Sequence, residues 1–231
     1  RNTWDQLASE RHATIVPPPP NRYPIATVGV KLLNENKGIV SLGENTLELS
    51  LKNENSSVVN MLRELESVVL LPLGVTVSSN PEPSFNNGPN YESLNGDFEI
   101  LDNNYNGSGR QLVKVRWDKS ILEPNRTVRA NLNVDINEHA PSSLKFDVYG
   151  FSGNEKLGVP SVNNEAITNT SLETDTDDLN KDGDNSQPRL KSGNIYTLVN
   201  KYDLQIEKFV KGNDDEWTKF AEISQGKEFG Y

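Results

Sequence analysis

The sequence predicts an all-β domain built as an antiparallel β-sandwich, and three observations carry that prediction. Apolar residues recur at every second position in several segments, so each strand would turn one face to a core and one to water. Turn formers are dense, with 29 Asn, 16 Gly and 13 Pro among 231 residues, and Asn-Gly, Ser-Gly and Pro-x-Pro signals fall between the alternating runs. Hydrophobic residues make up 34% of the chain, which is lean but above the range in which no core can form. Many short strands joined by many turns satisfy all three.

Residues 1–24 open the chain as a Pro-rich connector. Pro17-Pro18-Pro19-Pro20 imposes polyproline II and excludes both helix and central strand. The chain has neither an initiator Met nor a basic leader with an apolar core, so the expectation is a fragment of a longer protein. The sandwich is expected over residues 25–200. Its strands begin with residues 25–33. Leu47, Leu49 and Leu51 then share one face of residues 46–52. Residues 58–66 place Val58, Met61, Leu62 and Leu65 at i, i+3, i+4 and i+7, which leaves helix or strand open.

Residues 68–71, 75–79 and 97–101 follow as strands. In the next run Leu112 precedes Val113, Val115 and Trp117 on one face, with Lys114 and Arg116 on the other. Residues 128–136 alternate longest, with five apolar positions separated by four polar ones. Leu144, Phe146 and Val148 continue the pattern, followed by residues 195–199 and 203–210. Residues 201–231 either complete this domain or begin another.

Composition narrows the function. There is no Cys, and the formal charge is −10 from 23 Lys+Arg against 33 Asp+Glu. Disulfides, thiolate metal sites and Cys nucleophiles are therefore excluded, and a negative chain without a basic run is a poor ligand for nucleic acid. No apolar stretch approaches the roughly 20 residues needed to cross a bilayer. Two His leave little acid–base equipment near neutral pH, so the composition leans away from catalysis. Sequons at Asn55, Asn106, Asn125 and Asn169 are no more than so Asn-rich a chain yields by chance.

Several segments resemble the conserved repeat domains found in tandem on Gram-positive and archaeal surface proteins. Thr46-Leu47-Glu48-Leu49-Ser50-Leu51-Lys52-Asn53-Glu54 looks like that family's strand-then-Asn signature. Leu71-Pro72-Leu73-Gly74-Val75 looks like its Leu-Pro-x-Gly-Val turn, and Glu123-Pro124-Asn125-Arg126-Thr127 like the approach to its long strand. Asp203-Leu204-Gln205-Ile206-Glu207-Lys208 resembles its repeat-opening strand, and Gly226-Lys227-Glu228-Phe229-Gly230-Tyr231 the strand after it. The resemblance implies an immunoglobulin-like, extracellular, cell-wall-attached stalk or adhesin module without catalytic residues. Its partners would be a surface protein or glycan of a host or neighbouring cell, and neighbouring repeats of its own chain. A departure is the long connection over residues 151–192.

The sharpest local feature is the acidic loop at residues 174–185. From Asp178 it reads D-x-N-x-D-G, the first half of a calcium loop, in which side chains at positions 1, 3 and 5 converge and Gly permits the sharp turn. Asp178, Asn180 and Asp182 would ligate calcium, with the carbonyl of Asp184 at position 7. Position 12 is Arg189 rather than Glu, so Asp175 or Asp177 would supply the missing carboxylate. The alternative is a solvated acidic loop.

Lys31 and Lys208 are candidates for an intramolecular Lys–Asn isopeptide bond, and more simply outward-facing strand residues. His139 sits in a turn, and His12 in the leader. Trp117 reads as core. The main reading is a non-catalytic surface module, stiffened by calcium. The alternative is a carbohydrate- or protein-ligand-binding domain using the loops at residues 80–95 and 103–109, which a cluster of exposed Tyr91, Tyr105 and Trp would favour.

Overall fold

The structure, a computed structural model, describes residues 23–55, 62–161 and 169–199, together with the backbone of 210–211 and 217–218. The chain divides into two units, Arg1–Val199 and Asn200–Tyr231. Within the second, β14 (Val210–Lys211) pairs antiparallel with β15 (Trp217–Thr218). The Pro-rich connector, Trp4, His12, Lys208 and most of residues 203–210 lie outside the described residues.

Strands are numbered in chain order. The first sheet of the larger unit runs β1 (Ala26–Leu32), β3 (Gly43–Asn53), β10 (Thr127–Ile136), β6 (Ser84–Asn87), β7 (Glu92–Leu94), with β5 (Val75–Ser78) also on β10. The second runs β12 (Ser171–Thr174), β13 (Pro188–Val199), β11 (Ser143–Phe151), β4 (Glu66–Leu70), β9 (Leu112–Trp117), β8 (Gly96–Asp102), with β2 (Ile39–Ser41) on β13. The expected all-β sandwich is the fold. Its strand pairs are antiparallel except β2 with β13, which is parallel.

The alternating residues build the core. Leu47, Leu49 and Leu51 of β3 and Val128, Ala130, Leu132, Val134 and Ile136 of β10 are buried from the first sheet. They meet Val113, Val115, Trp117, Leu144, Phe146 and Val148 from the second. Trp117 is core, as its place in the pattern predicts, and its Nε1 donates to the Arg129 carbonyl of the opposite sheet at 2.9 Å. The Leu71–Val75 segment is a turn in which the Val75 amide donates to the Pro72 carbonyl at 3.1 Å. Gly74 has φ +78°, and a Cβ there would lie 2.5 Å from the Ala140 nitrogen, so glycine is required by both conformation and space.

One open reading is resolved and one expectation needs correction. Residues 62–66 are not helical: Leu62 bridges Leu122, Glu64 bends with φ +49°, and Glu66 opens β4. Leu62 and Leu65 are buried, so a segment without helix serves the core here; Val58 and Met61 lie outside the described residues. The segment at 80–95 is not one loop but carries β6 and β7, joined by a hairpin.

β1 and β13 run the same way in opposite sheets. The Asn194 side chain donates to the Val30 carbonyl at 3.3 Å, and the Tyr196 hydroxyl accepts from the Leu32 amide at 3.0 Å. Both numberings therefore rise together. Ile25, just before β1, bridges Gly158, and the last strand of this unit ends at Val199 at the opposite pole.

Candidate functional site

β4 shows where the acidic loop goes. Residues 68–71 lack alternation, and a strand without a polar face must be covered on both sides. Val69 and Leu71 enter the main core, while Val68 and Leu70 join Leu112, Phe151 and Leu179 in a second cluster on the outer face of the second sheet. Leu179, 3% exposed, comes from the acidic loop itself. The β12–β13 connection thus folds over the sheet and plugs its apolar outer face, and burying that leucine contributes about 1.5–3 kcal/mol.

Charge then pins the loop. Asp175 is fully buried, and both of its carboxylate oxygens accept the Leu179 amide at 3.1 Å. Arg189 of β13 donates through Nη1 to Asp175 at 2.5 Å and also to Asp177, and its Nε donates to Glu173 at 2.7 Å. Its guanidinium lies 4.9 Å from the Tyr149 ring centre, a cation–π stack, and the Tyr105 hydroxyl donates to Asp177 at 3.1 Å. Burial raises the Asp175 carboxyl above its usual range, only partly opposed by the Leu179 amide and Arg189. Burial pushes Asp177 the same way, but Arg189 and Tyr105 outweigh it and hold that carboxyl low. Burial would lower Arg189, yet its carboxylates raise it instead, so it stays charged.

The six predicted ligands are therefore split. Asp175 and Asp177 face Arg189, whose guanidinium is the cation among them. Asp178, Asn180, Asp182 and Asp184 form a separate turn. Asp178 Oδ1 accepts the Gly183 amide at 3.1 Å, and the Asn180 side chain donates to Asp182 at 2.9 Å and to Glu66 at 3.1 Å. Gln187 also donates to Asp182, and Lys114 Nζ donates to the Asn180 carbonyl at 3.0 Å. Burial raises the Asp182 carboxyl, but the Asp184 amide, Asn180 and Gln187 bring it below the ordinary range. Among the described residues no group of three or more His, Cys, Asp or Glu is placed to hold a metal ion.

The remaining candidates fall apart in space. Lys31 is exposed and stands opposite Glu48 in the β1–β3 register. His139 lies in a turn where its amide donates to Asn137. Tyr91 is exposed at the β6–β7 hairpin, whereas Tyr105 packs against the second cluster beneath the acidic loop, so they form no common aromatic surface.

A second feature escaped the sequence. A cleft of about 540 Å³ lies between the β6–β7 hairpin and the β9–β10 connection, at the pole of Ile25. Nothing short of the fold brings these two segments together.

No protein-family model and no curated protein matches the chain. Among solved structures it is similar to a cohesin module from a Clostridium perfringens family 33 glycoside hydrolase, with 10% identity, TM-score 0.41 and coverage of 77% of this chain and 99% of that one. It is also similar to the Streptococcus suis adhesin Fhb, with 10% identity, TM-score 0.39 and coverage of 74% and 88%. A collagen-binding domain from a Staphylococcus aureus adhesin gives 9%, 0.34, 57% and 89%. Likeness at these levels says nothing of ligand or activity.

Proposed function

We propose that the chain is a non-catalytic module of an extracellular surface protein, serving as a load-bearing stalk or adhesive domain. The observation that supports this best is the placement of Ile25 and Val199 at opposite poles, with β1 and β13 running parallel in opposite sheets. Tension between those points runs along the strands. It loads the seven register pairs of β1 with β3 and the eight of β13 with β11 in shear, so their ladders resist together. Peeling from one end would break the same ladders one bond at a time, because inter-strand bonds lie perpendicular to the strands.

The chain has no Cys, so pairs of engineered cysteines can serve as handles. Pulled through Ile25→Cys and Val199→Cys, the domain should unfold at clearly higher force than through Ile25→Cys and Asn125→Cys, which share a pole. Equal forces would remove the mechanical reading.

Calcium is a subordinate part of the proposal. With Asp175 and Asp177 occupied by Arg189, an ion would be held by Asp178, Asn180, Asp182 and the Asp184 carbonyl. Binding to the folded state alone raises stability by RT ln(1 + [L]/Kd). A melting temperature raised by millimolar calcium, with the rise lost in Asp178→Ala and Asp182→Ala, supports the ion. Superimposable melts in calcium and chelator leave the turn as a solvated acidic loop.

A further inference from the structure

We propose that the 540 Å³ cleft at the Ile25 pole binds a neutral, hydroxyl-rich oligosaccharide, which rests on the adhesive half of the proposed function. The cleft is concave and of ligand size, and its polar side chains are largely unspent. Among the described residues, the side chains of Asn87, Asn90, Glu92 and Arg126 make no hydrogen bond or ion pair, and Lys119 pairs only with Glu123, at 3.4 Å.

The kind of ligand is set by the donors and acceptors. Lys119 and Arg126 balance Glu92 and Glu123, so the cleft carries no net charge to draw in an anion. The chain as a whole is at −10 and repels polyanions. Amides present donor and acceptor on one group, flanked here by pure donors and pure acceptors. Adjacent hydroxyls of a sugar, each both donor and acceptor, match that arrangement. A protein partner would need a deep pocket for a large apolar anchor, whereas the apolar lining here is Pro89 and Pro124 over a fully buried Leu122, small flat faces among polar groups.

Tyr91 points the same way. It stands between Asn90 and Glu92 with φ +52°, a left-handed conformation that costs a bulky residue strain. It is 61% exposed, so burial recovers little of that cost. Arg129 lies 4.8 Å from its ring centre and steadies the ring on the hairpin that supplies one wall of the cleft, next in the chain to the lining residues Asn90 and Glu92, from where it can meet the C–H face of a pyranose in an extended sugar chain.

The test uses the full chain on a printed array of neutral and sialylated oligosaccharides, followed by NMR titration with the neutral probes that bind. Neutral probes should bind, and Asn90→Ala and Arg126→Ala should each weaken binding about tenfold or more, the loss of a hydrogen bond to an unspent partner. Their melting curves should match the parent, and Lys31→Ala on another face should bind normally. Binding that prefers sialylated probes, that survives both cleft substitutions, or that is absent at millimolar sugar overturns the proposal. So does a peptide probe that shifts the cleft resonances where sugars do not. Failure here with the two-handle force difference intact removes the sugar site alone; loss of the force difference is what removes the stalk.

Discussion

Replacing Arg189 by Met tests whether the acidic loop is held by an internal cation. Met keeps most of the buried stem and removes the guanidinium. Of the three carboxylates left behind, Asp177 is 46% exposed and Glu173 31%, so water can solvate both. Asp175 is at 0%, and its remaining partner is the Leu179 amide. Breaking a buried pair by removing one member costs about 3–5 kcal/mol, because a charge is stranded. With one stranded carboxylate out of three, the lower end applies, about 3 kcal/mol at neutral pH. For a domain of this size that is a fall in melting temperature of about 6–12 °C.

The control is the double variant Arg189→Met with Asp175→Asn, which should regain most of the loss because the stranded charge is gone. The single variant should also recover relative to the parent as pH falls. Without Arg189, Asp175 takes up a proton in the folded state more readily than in the unfolded chain, so its penalty is full above its raised pKa and vanishes below the unfolded value. Thermal melts of the three proteins over a pH series measure all of this. A loss under about 1 kcal/mol for Arg189→Met, or a double variant no more stable than the single, would refute the clasp.

The same loop yields two more predictions. Leu179→Ala should destabilise by about 2 kcal/mol, the low end for leucine because a surface strap can partly collapse. Hydrogen exchange should show faster amides over residues 175–187 and on β4, and unchanged amides on β3; uniform protection would mean Leu179 is not the plug. Acid should loosen the loop as well: Asp177 and Asp182 have folded pKa values below the ordinary one, so their stabilisation is full above an unfolded pKa of about 4 and is lost as pH falls through the lower folded values. Asp175, shifted upward, works weakly against them. The stability gap between the parent and Asp177→Asn should therefore be constant from pH 7 to about 5 and close below about 4; a gap that persists at about pH 2 refutes the assignment.

Most of the sandwich was legible because its strands alternate. β3, β9, β10 and β11 each bury every second residue, and a period of two needs no tertiary knowledge to read. The exceptions are instructive. Residues 58–66 carry four apolar residues at helical spacing, yet Leu62 and Leu65 reach the core without a helix, since so short a run does not discriminate helix from strand. The acidic loop was visible as charge but not as architecture. Arg189 occupies position 12, where its lack of a carboxylate reads as a defect in a calcium loop. Only the β12–β13 register, which sets Glu173 opposite Arg189, shows that the guanidinium is turned inward. One signal did exist: residues 68–71 are apolar without alternation, which requires a cover on the outer face. The cleft had no such signal. Gly88-Pro89 and Glu123-Pro124 announce turns, but their adjacency depends on β6 pairing with β10.

The clasp and the proposed mechanical role bear on the same strand. β13 is the longest strand in the domain and the last of the larger unit, so under the stalk reading tension applied at Val199 draws it along its own axis. Sliding it by even one residue would flip its side chains across the sheet. Arg189 would then leave Asp175 inside the domain without a partner, and a stranded charge costing about 3 kcal/mol is a steep penalty for a small displacement. Lys191, two residues on, adds a weaker pair with Glu173 at 3.3 Å, exposed enough to contribute little. A mobile ion in the same place would exchange with solvent and tie the loop only to itself. An arginine rooted in β13 ties the loop, β12 and the Leu179 plug to that strand, so under the stalk reading the contact that holds the cover in place would also oppose slippage.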